Sequence, residues 1–288
     1  MGSDWEKAIQ KWSASLDKGY DTACKGSSAL VAAADRAVFA EIATRNNQKV
    51  VGTFFDLAKF FDTVQPSPLF DSVVETMFAM VDALMGLQMH MAPRVIMINA
   101  VPSLPITVAA SILAGCGYSV PWVGSLMHPG SVVISKKHPM YKTYVDDVSN
   151  VAAGYGPDVQ SAVVECALAF NTTVVLKRRF ILSDKSAVVA NDKKLALSVA
   201  RELKDYDMVV QTPNSTRDVG VMFTAGVFRD TSLCKVRAGE ATIRTRRISK
   251  VAKVSRAARK LFTSGAHPQG AWGHQCVGMS PMQVRAIR

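Results

Sequence analysis

Asp146 and Asp147 stand side by side after an aromatic and a β-branched residue, in the run Thr143-Tyr144-Val145-Asp146-Asp147. Adjacent carboxylates repel each other, and an apolar setting makes ionising both harder still. The pair therefore needs a solvated turn or a positive partner, which narrows what the chain around it can be. The flanking residues favour strand. Val132 to Ser135 and Thr143 to Val145 read as two short strands of a hairpin, with Asp146 and Asp147 at or near its tip. A second carboxylate has a similar setting. Val50 to Phe55 is a β-branched and aromatic run preceded by Asn46 and Asn47, and Asp56 ends it. If the two strands are neighbours in one sheet, Asp56 and Asp146 converge at one edge. Such oxygen ligands bind Mg²⁺ or Mn²⁺ together with substrate phosphates. Two such ions about 3.5–4 Å apart clamp the attacking and leaving oxygens of a phosphoryl transfer.

Charge is as unevenly placed as the acids. Residues 235–288 hold 12 Lys and Arg against one acid, Glu240, so the whole of the chain's +11 lies there. The first 234 residues carry 22 of each sign. A segment of that kind attracts a polyanion, nucleic acid first and an anionic membrane second; a merely solvated tail is the bland alternative. Thr242 to Phe262 reads as its helix. Ile248, Val251, Val254, Ala258, Leu261 and Phe262 fall on one face, and Arg246, Arg247, Lys250, Lys253, Arg256, Arg259 and Lys260 on the rest.

Between Arg94 and Lys136 there is no Asp, Glu, Lys or Arg. The run is interrupted by Asn99, Pro102, Pro105, Pro121 and Pro129, so a buried helix with flanking loops fits it better than a membrane span. The other expected elements are a helix over 27–45, a long apolar helix from Leu69 to Met91, and a helix within Thr107 to Met127 entered or interrupted at Gly115 and Gly117. Helices follow over Asp158 to Asn171 and Lys193 to Leu203. Strands are expected at Val174 to Leu176, Phe180 to Ser183 and Val219 to Phe223. This order makes the chain α+β, an antiparallel sheet with helices packed on one face. The apolar content of 49% is enough for a core. Five widely spaced cysteines make a disulfide framework improbable and a reducing compartment the default, intracellular and either nuclear or cytoplasmic. His267, His274 and Cys276 lie close together without completing a zinc pattern. The first ten residues lack the apolar stretch of a signal peptide.

Asp56-Leu57-Ala58-Lys59-Phe60-Phe61-Asp62 followed by Tyr144-Val145-Asp146-Asp147 resembles the palm of reverse transcriptases, the non-LTR retrotransposon type most nearly. Further segments fall in that family's order. Residues 26–42 look like the helix before the first acid strand, and Ile112 to Met127 like the loop and helix that contact template and nucleotide. Leu182 to Val189 resembles the segment after the double Asp, and Arg217 to Phe223 the primer grip. The basic helix stands where the thumb begins. Each motif alone is weak; their order carries the signal.

The resemblance implies residues 1–48 as partial fingers and N-terminal helices, 49–228 as palm and 229–288 as a basic thumb segment, a chain truncated at both ends. It implies an RNA-directed DNA polymerase that transfers a nucleotide from a dNTP to a primer 3′-OH with two Mg²⁺ or Mn²⁺ ions. RNA template, DNA primer and dNTPs are the partners, and no membrane is involved. Asp56, Asp146 and Asp147 would hold the ions, and a backbone carbonyl at Phe55 or Leu57 could add to them. Lys185 would protonate the leaving pyrophosphate. Phe61 would crowd a ribose 2′-OH, and Gly115, Cys116, Gly117 and Ser119 would meet nucleotide and template. Arg246, Arg247, Lys250, Lys253, Arg256, Arg259 and Lys260 would hold the duplex backbone. Asp62 reads as a helix N-cap, and Lys177-Arg178-Arg179 as either a nucleic-acid contact or a solvated turn. The family's Pro-Gln-Gly loop is Ala114-Gly115-Cys116 here, without the glutamine side chain. A catalytically inactive, retroelement-derived remnant that binds nucleic acid is the alternative, and a membrane-associated protein using the uncharged run is a third reading.

Overall fold

In the computed structural model, residues 2–24, 26–279, 281–282 and 285 are described. The chain opens with α1 (Gly2–Ser15) and α2 (Ala29–Arg45), then β1 (Lys49–Phe55), the short α3 (Phe60–Thr63), α4 (Pro66–Glu75) and α5 (Met80–Met91). A two-stranded hairpin, β2 (Met97–Ile98) and β3 (Val101–Pro102), leads to α6 (Ser119–Lys137). The second hairpin pairs β4 (Lys142–Tyr144) with β5 (Asp147–Gly154), and α7 (Asp158–Phe170) follows. Next come β6 (Ala187–Ala190), α8 (Lys193–Lys204), β7 (Thr216–Asp218) and β8 (Val221–Phe223). The chain closes with α9 (Ser232–Ala252), α10 (His267–Ala271) and α11 (His274–Val277). The end of the expected thumb segment, residues 286–288, lies outside the described residues.

The main sheet has the order β4-β5-β1-β6 and is antiparallel throughout. β1 sits inside it, and both of its faces are covered, so Val50 to Phe55 is buried without a break and is mostly apolar rather than alternating. Val51 and Phe55 turn toward α7, where Phe55 stacks on Phe170 at 5.3 Å. Val50 and Phe54 turn the other way, toward α2 and β8, where Phe54 meets Phe223 at 4.8 Å. The architecture is α+β, as expected, with the larger helical layer on one face and α2 plus the β7–β8 hairpin against the other.

Several local expectations give way to tertiary packing. Val132 to Ser135 is not a strand: α6 continues through Pro129 to Lys137. It does so because Gly130 lets the helix press on the chain after α7. A Cβ at 130 would stand 2.6 Å from Val174 Cγ2 and 2.8 Å from Thr173 Oγ1. Gly130→Ala is therefore expected to lower stability by about 1–3 kcal/mol despite alanine's better helix propensity, measurable as a reduced urea midpoint. Val174 to Leu176 is likewise not a strand. α7 runs into a π-helical turn over Asn171–Leu176, with Val174 and Val175 buried. Phe180 to Ser183 forms no strand beyond one isolated bridge, Leu57 to Leu182.

The single long helix expected from Leu69 to Met91 is two, broken at Met77, whose φ is 51°. β5 was not anticipated at all, since Val148 to Gly154 is small and polar in part. Asp62 is not an N-cap; it lies inside α3, whose cap position is Lys59. The basic helix starts ten residues earlier than expected and ends at Ala252. Val251, Val254 and Leu261 stay more than half exposed, and only Ile248 and Ala258 of the expected stripe are buried. The chain after α9 folds back instead, α10 packing on α9 and α11 on α2. In the uncharged run no described helix is long and apolar enough to cross a membrane. The one described helix that is, Asp158–Leu176, buries Val163, Ala167, Phe170 and Val174 in the main core.

Candidate active site

The register of the sheet sets the acids. Phe55 pairs with Val148 and Tyr144 with Asp147. Continuing β1 by one residue puts Asp56 opposite Asp147, the first residue of β5. Val145 and Asp146 form the two-residue turn between β4 and β5. Val145 has φ 58° there, a conformation that a β-branched residue rarely adopts. Asp56 itself is clamped by its own backbone. Its carbonyl accepts from the Ser183 N–H at 2.8 Å, and its N–H donates to Ser186 Oγ at 3.3 Å.

The proximity bears on how the acids ionise. Burial, chiefly, raises the carboxyl of Asp146, and the charge of Asp56 adds to it. Burial pushes Asp147 up to about 6, helped by Asp146, Asp218 and Asp56 and opposed by Arg217. An unfolded aspartate ionises near 4. Between that value and 6 the folded chain must hold a proton the unfolded chain has lost, so this group weakens the fold as pH rises through that window. In chelator, Asp147→Asn is expected to stabilise the protein by about 2 kcal/mol at pH 7.5 and to leave it unchanged near pH 4. Thermal melts at the two pH values check this.

Asp56, Tyr144, Asp147 and Lys185 line one cleft of about 860 Å³. The facing wall comes from Arg217, Asp218 and Gly220 on the β7–β8 hairpin, Arg237 on α9, and Gln269 and Trp272 from the returning C-terminal segment. Asp146, in the turn, is not one of its walls. Asp218 is almost wholly buried. Burial raises its carboxyl against the pull of Arg36 on α2, whose Nε and Nη2 bond to Asp218 Oδ2 at 2.8 and 2.5 Å. None of these facing residues was singled out as chemical from the sequence except through the primer-grip likeness of 217–223. Ser183 and Ser186 lay inside a quoted motif, but their bonds to Asp56 depend on a contact across 127 and 130 positions.

The other expected site residues do not line this cleft. Phe61 is half-buried, packs edge-on against Phe60 at 5.5 Å, and accepts the Ile112 N–H at 2.8 Å through its carbonyl. It is thereby tied to the 113–119 loop rather than to the acids. Gly115 and Gly117 are exposed on that loop, and Cys116 Sγ lies 3.3 Å from His90 Nε2. Ser119 corrects the expectation of a substrate contact: it is fully buried, and its hydroxyl donates to the Leu113 carbonyl at 2.6 Å. Arg246, Arg247, Lys250, Lys253, Arg256, Arg259 and Lys260 are all exposed, spread over α9 and the turns beyond it. Lys177-Arg178-Arg179 ends a helix in a turn, with Lys177 and Arg179 exposed and Arg178 buried, and its side chains are engaged within the chain. Lys177 and Arg178 pair with Glu75 at 2.8 and 2.5 Å, and Arg179 bonds to Gln65.

Among the described residues no three His, Cys, Asp or Glu side chains close on a point that could hold a metal ion. The donor set is nonetheless one that suits Mg²⁺, which takes one or two protein carboxylates and completes its shell with water and substrate phosphates. Beyond burial, the charge of Asp56 raises the Asp146 carboxyl, and those of Asp146, Asp218 and Asp56 raise that of Asp147, a repulsion that a cation among them would relieve.

The fold has a counterpart among solved structures. The chain superimposes on apo telomerase from Candida Tropicalis, a form truncated from the C-terminal domain, with a TM-score of 0.52 and 12% identity over 79% of this chain. The fold is reverse-transcriptase-like. The match covers 45% of the telomerase chain, so this chain spans less than half of that protein. No protein-family model and no curated protein matches the sequence. In this reverse-transcriptase-like frame the acid cleft lies at the end of the central sheet, where β1 meets the β4–β5 hairpin.

Proposed function

We propose that the chain is the core of an RNA-directed DNA polymerase, extending a primer 3′-OH with dNTPs on an RNA template. One observation carries this reading. Asp56 and Asp147, 91 positions apart, face each other at the ends of paired strands, with Lys185 in the same cleft. Asp56, Asp146 and Asp147 would hold two Mg²⁺ or Mn²⁺ ions, which supply charge neutralisation at the transferring phosphoryl group. The remaining steps fall to the chain itself. Lys185 delivers a proton to the departing pyrophosphate oxygen. Phe61 narrows the space beside the sugar, and the exposed basic residues of α9 and beyond hold phosphates without reading bases. The likeness to telomerase does not single out a retrotransposon type; the non-LTR reading rests on the order of motifs in the sequence.

A second reading keeps the nucleic-acid surface and drops the turnover. It is favoured by Gly115 standing where the family's loop carries glutamine, and by the C-terminal segment, whose Gln269 and Trp272 wall the cleft opposite the acids. Primer extension separates the two. An RNA template, DNA primer, dNTPs and Mg²⁺ or Mn²⁺ are expected to give extended product, with NTPs used poorly. Binding that falls steeply with salt and gives no product under either ion would support the second reading instead.

A further inference from the structure

Behind the carboxylate hairpin lies a second cavity, of about 690 Å³, that plays no part in the reading above. Its size is that of small-molecule sites, which run to about 300–1,000 Å³. α1 and the segment after it form one side, α6 the other, and Thr143 and Val145 close it with the reverse of the strand that sends Tyr144 to the acid cleft. Most of its lining is apolar: Ile9, Trp12, Leu16, Val123 and Met127 among others.

Two features make it a built site rather than loose packing. The first is Gly124. It lies mid-helix in α6, where glycine costs about 1 kcal/mol relative to alanine. Neither its backbone angle nor its neighbours demand a glycine. A Cβ there would meet nothing nearer than Lys18 Nζ at 3.7 Å and Trp12 at 3.9 Å, an ordinary contact distance. The missing side chain leaves the wall of the cavity open. The second is Lys18. Its ammonium sits over the Trp12 ring, 5.0 Å from the centroid, and donates to Ser13 Oγ at 2.9 Å. It makes no ion pair among the described residues, so two of its three donors lack a protein acceptor there. Burial lowers its pKa, against the opposing charge of Asp21. A half-buried cation with spare donors, at the edge of an apolar chamber, is matched by an anionic head on an apolar body.

We propose that this cavity binds a small amphiphilic organic anion, with its head group on Lys18 and its apolar body in the space that Gly124 leaves beside Trp12. The inference concerns binding and stands apart from the polymerase reading.

The test is fluorescence titration of the full chain with anilinonaphthalene sulfonate, an aromatic body with one fixed negative charge, beside its uncharged congener phenylnaphthylamine. One saturable site is expected for each. Gly124→Leu is expected to weaken both by at least about tenfold, because its side chain occupies the chamber. Lys18→Met keeps the stem and removes the charge. It should weaken the sulfonate about tenfold and leave the neutral probe unchanged. If Gly124→Leu binds both probes as the parent does, they sit elsewhere, on the exposed apolar face of α5 and the β2–β3 hairpin, and the proposal falls. Should Gly124→Leu fail to melt cooperatively, Lys18→Met decides alone: an unchanged affinity for the sulfonate overturns the site.

Discussion

Asp146→Ala is expected to abolish primer extension, by at least about 10³-fold, while leaving the fold intact. The two effects separate for a physical reason. Asp146 occupies the turn between β4 and β5, and neither its burial nor its neighbour Asp56 favours its charged form. Removing it takes away a repulsion, so its thermal midpoint should equal or exceed that of the parent. The same substitution removes one of three carboxylates that would hold the ions, and the chemistry has no substitute for it. Duplex binding and its salt slope should be unchanged, since they belong to the exposed basic residues far along the chain. Extension that survives in Asp146→Ala, with a normal melt, would exclude the proposed mechanism.

The second large effect is on stability and lies outside the acid hairpin. Arg36→Leu is expected to cost about 3–5 kcal/mol, a large part of the 5–15 kcal/mol typical of a domain. Arg36 is 2% exposed and Asp218 5%, so the pair is almost wholly out of water. Leucine would leave the Asp218 carboxylate buried beside α2 with its counter-charge gone. Asp218 also bears on Asp147 through its charge, so the loss reaches the candidate site. Urea unfolding should show the deficit at neutral pH, and it should shrink under acid, where Asp218 can take up a proton. Adding Asp218→Leu to Arg36→Leu is expected to restore most of the stability. If the double variant is as unstable as the single, packing and not charge is what Arg36 supplies. Its Nη1 finds no acceptor among the described residues, so the pair is imperfectly satisfied as it stands.

What could be read from sequence follows the range of the interactions involved. β1 was legible because its run of Val, Phe and Thr is bounded by Asn46 and Asn47 on one side and Asp56 on the other. α7 and α8 were legible because their apolar positions recur at helical spacing, and the turn at Asp146 because two adjacent charges tolerate little else; α2 was legible as a helix, but its larger apolar residues Val31, Val38 and Ile42 are exposed and its buried face is made of alanines and Arg36. α6 beyond Pro129 was not. Val132, Val133 and Ile134 are β-branched, and what holds them helical is Gly130 against Val174, forty-four positions away. The C-terminal helices were misplaced because lysines and arginines spaced every three or four residues continue past Ala252, whereas the break there is set by packing on α2 and α9. The acids of the candidate site were legible and their clamps were not. Asp56 carries its own chemistry, but Ser183, Ser186 and Arg36 acquire meaning only through partners that the fold delivers.

β1 has one further consequence, for the chain's tolerance of changes in length. A strand buried on both faces cannot gain or lose a residue quietly, since a one-residue slip exchanges the two faces. Deleting one residue between Lys49 and Phe55 would turn Phe54 and Phe55 each toward the other's pocket and draw Asp56 away from Asp147. The β2–β3 hairpin is the reverse case: Met97, Ile98, Val101 and Leu104 all face outward, and its length can drift without moving an acid. Related chains should accordingly vary in length around residues 95–106 and keep the span from Lys49 to Asp56 fixed.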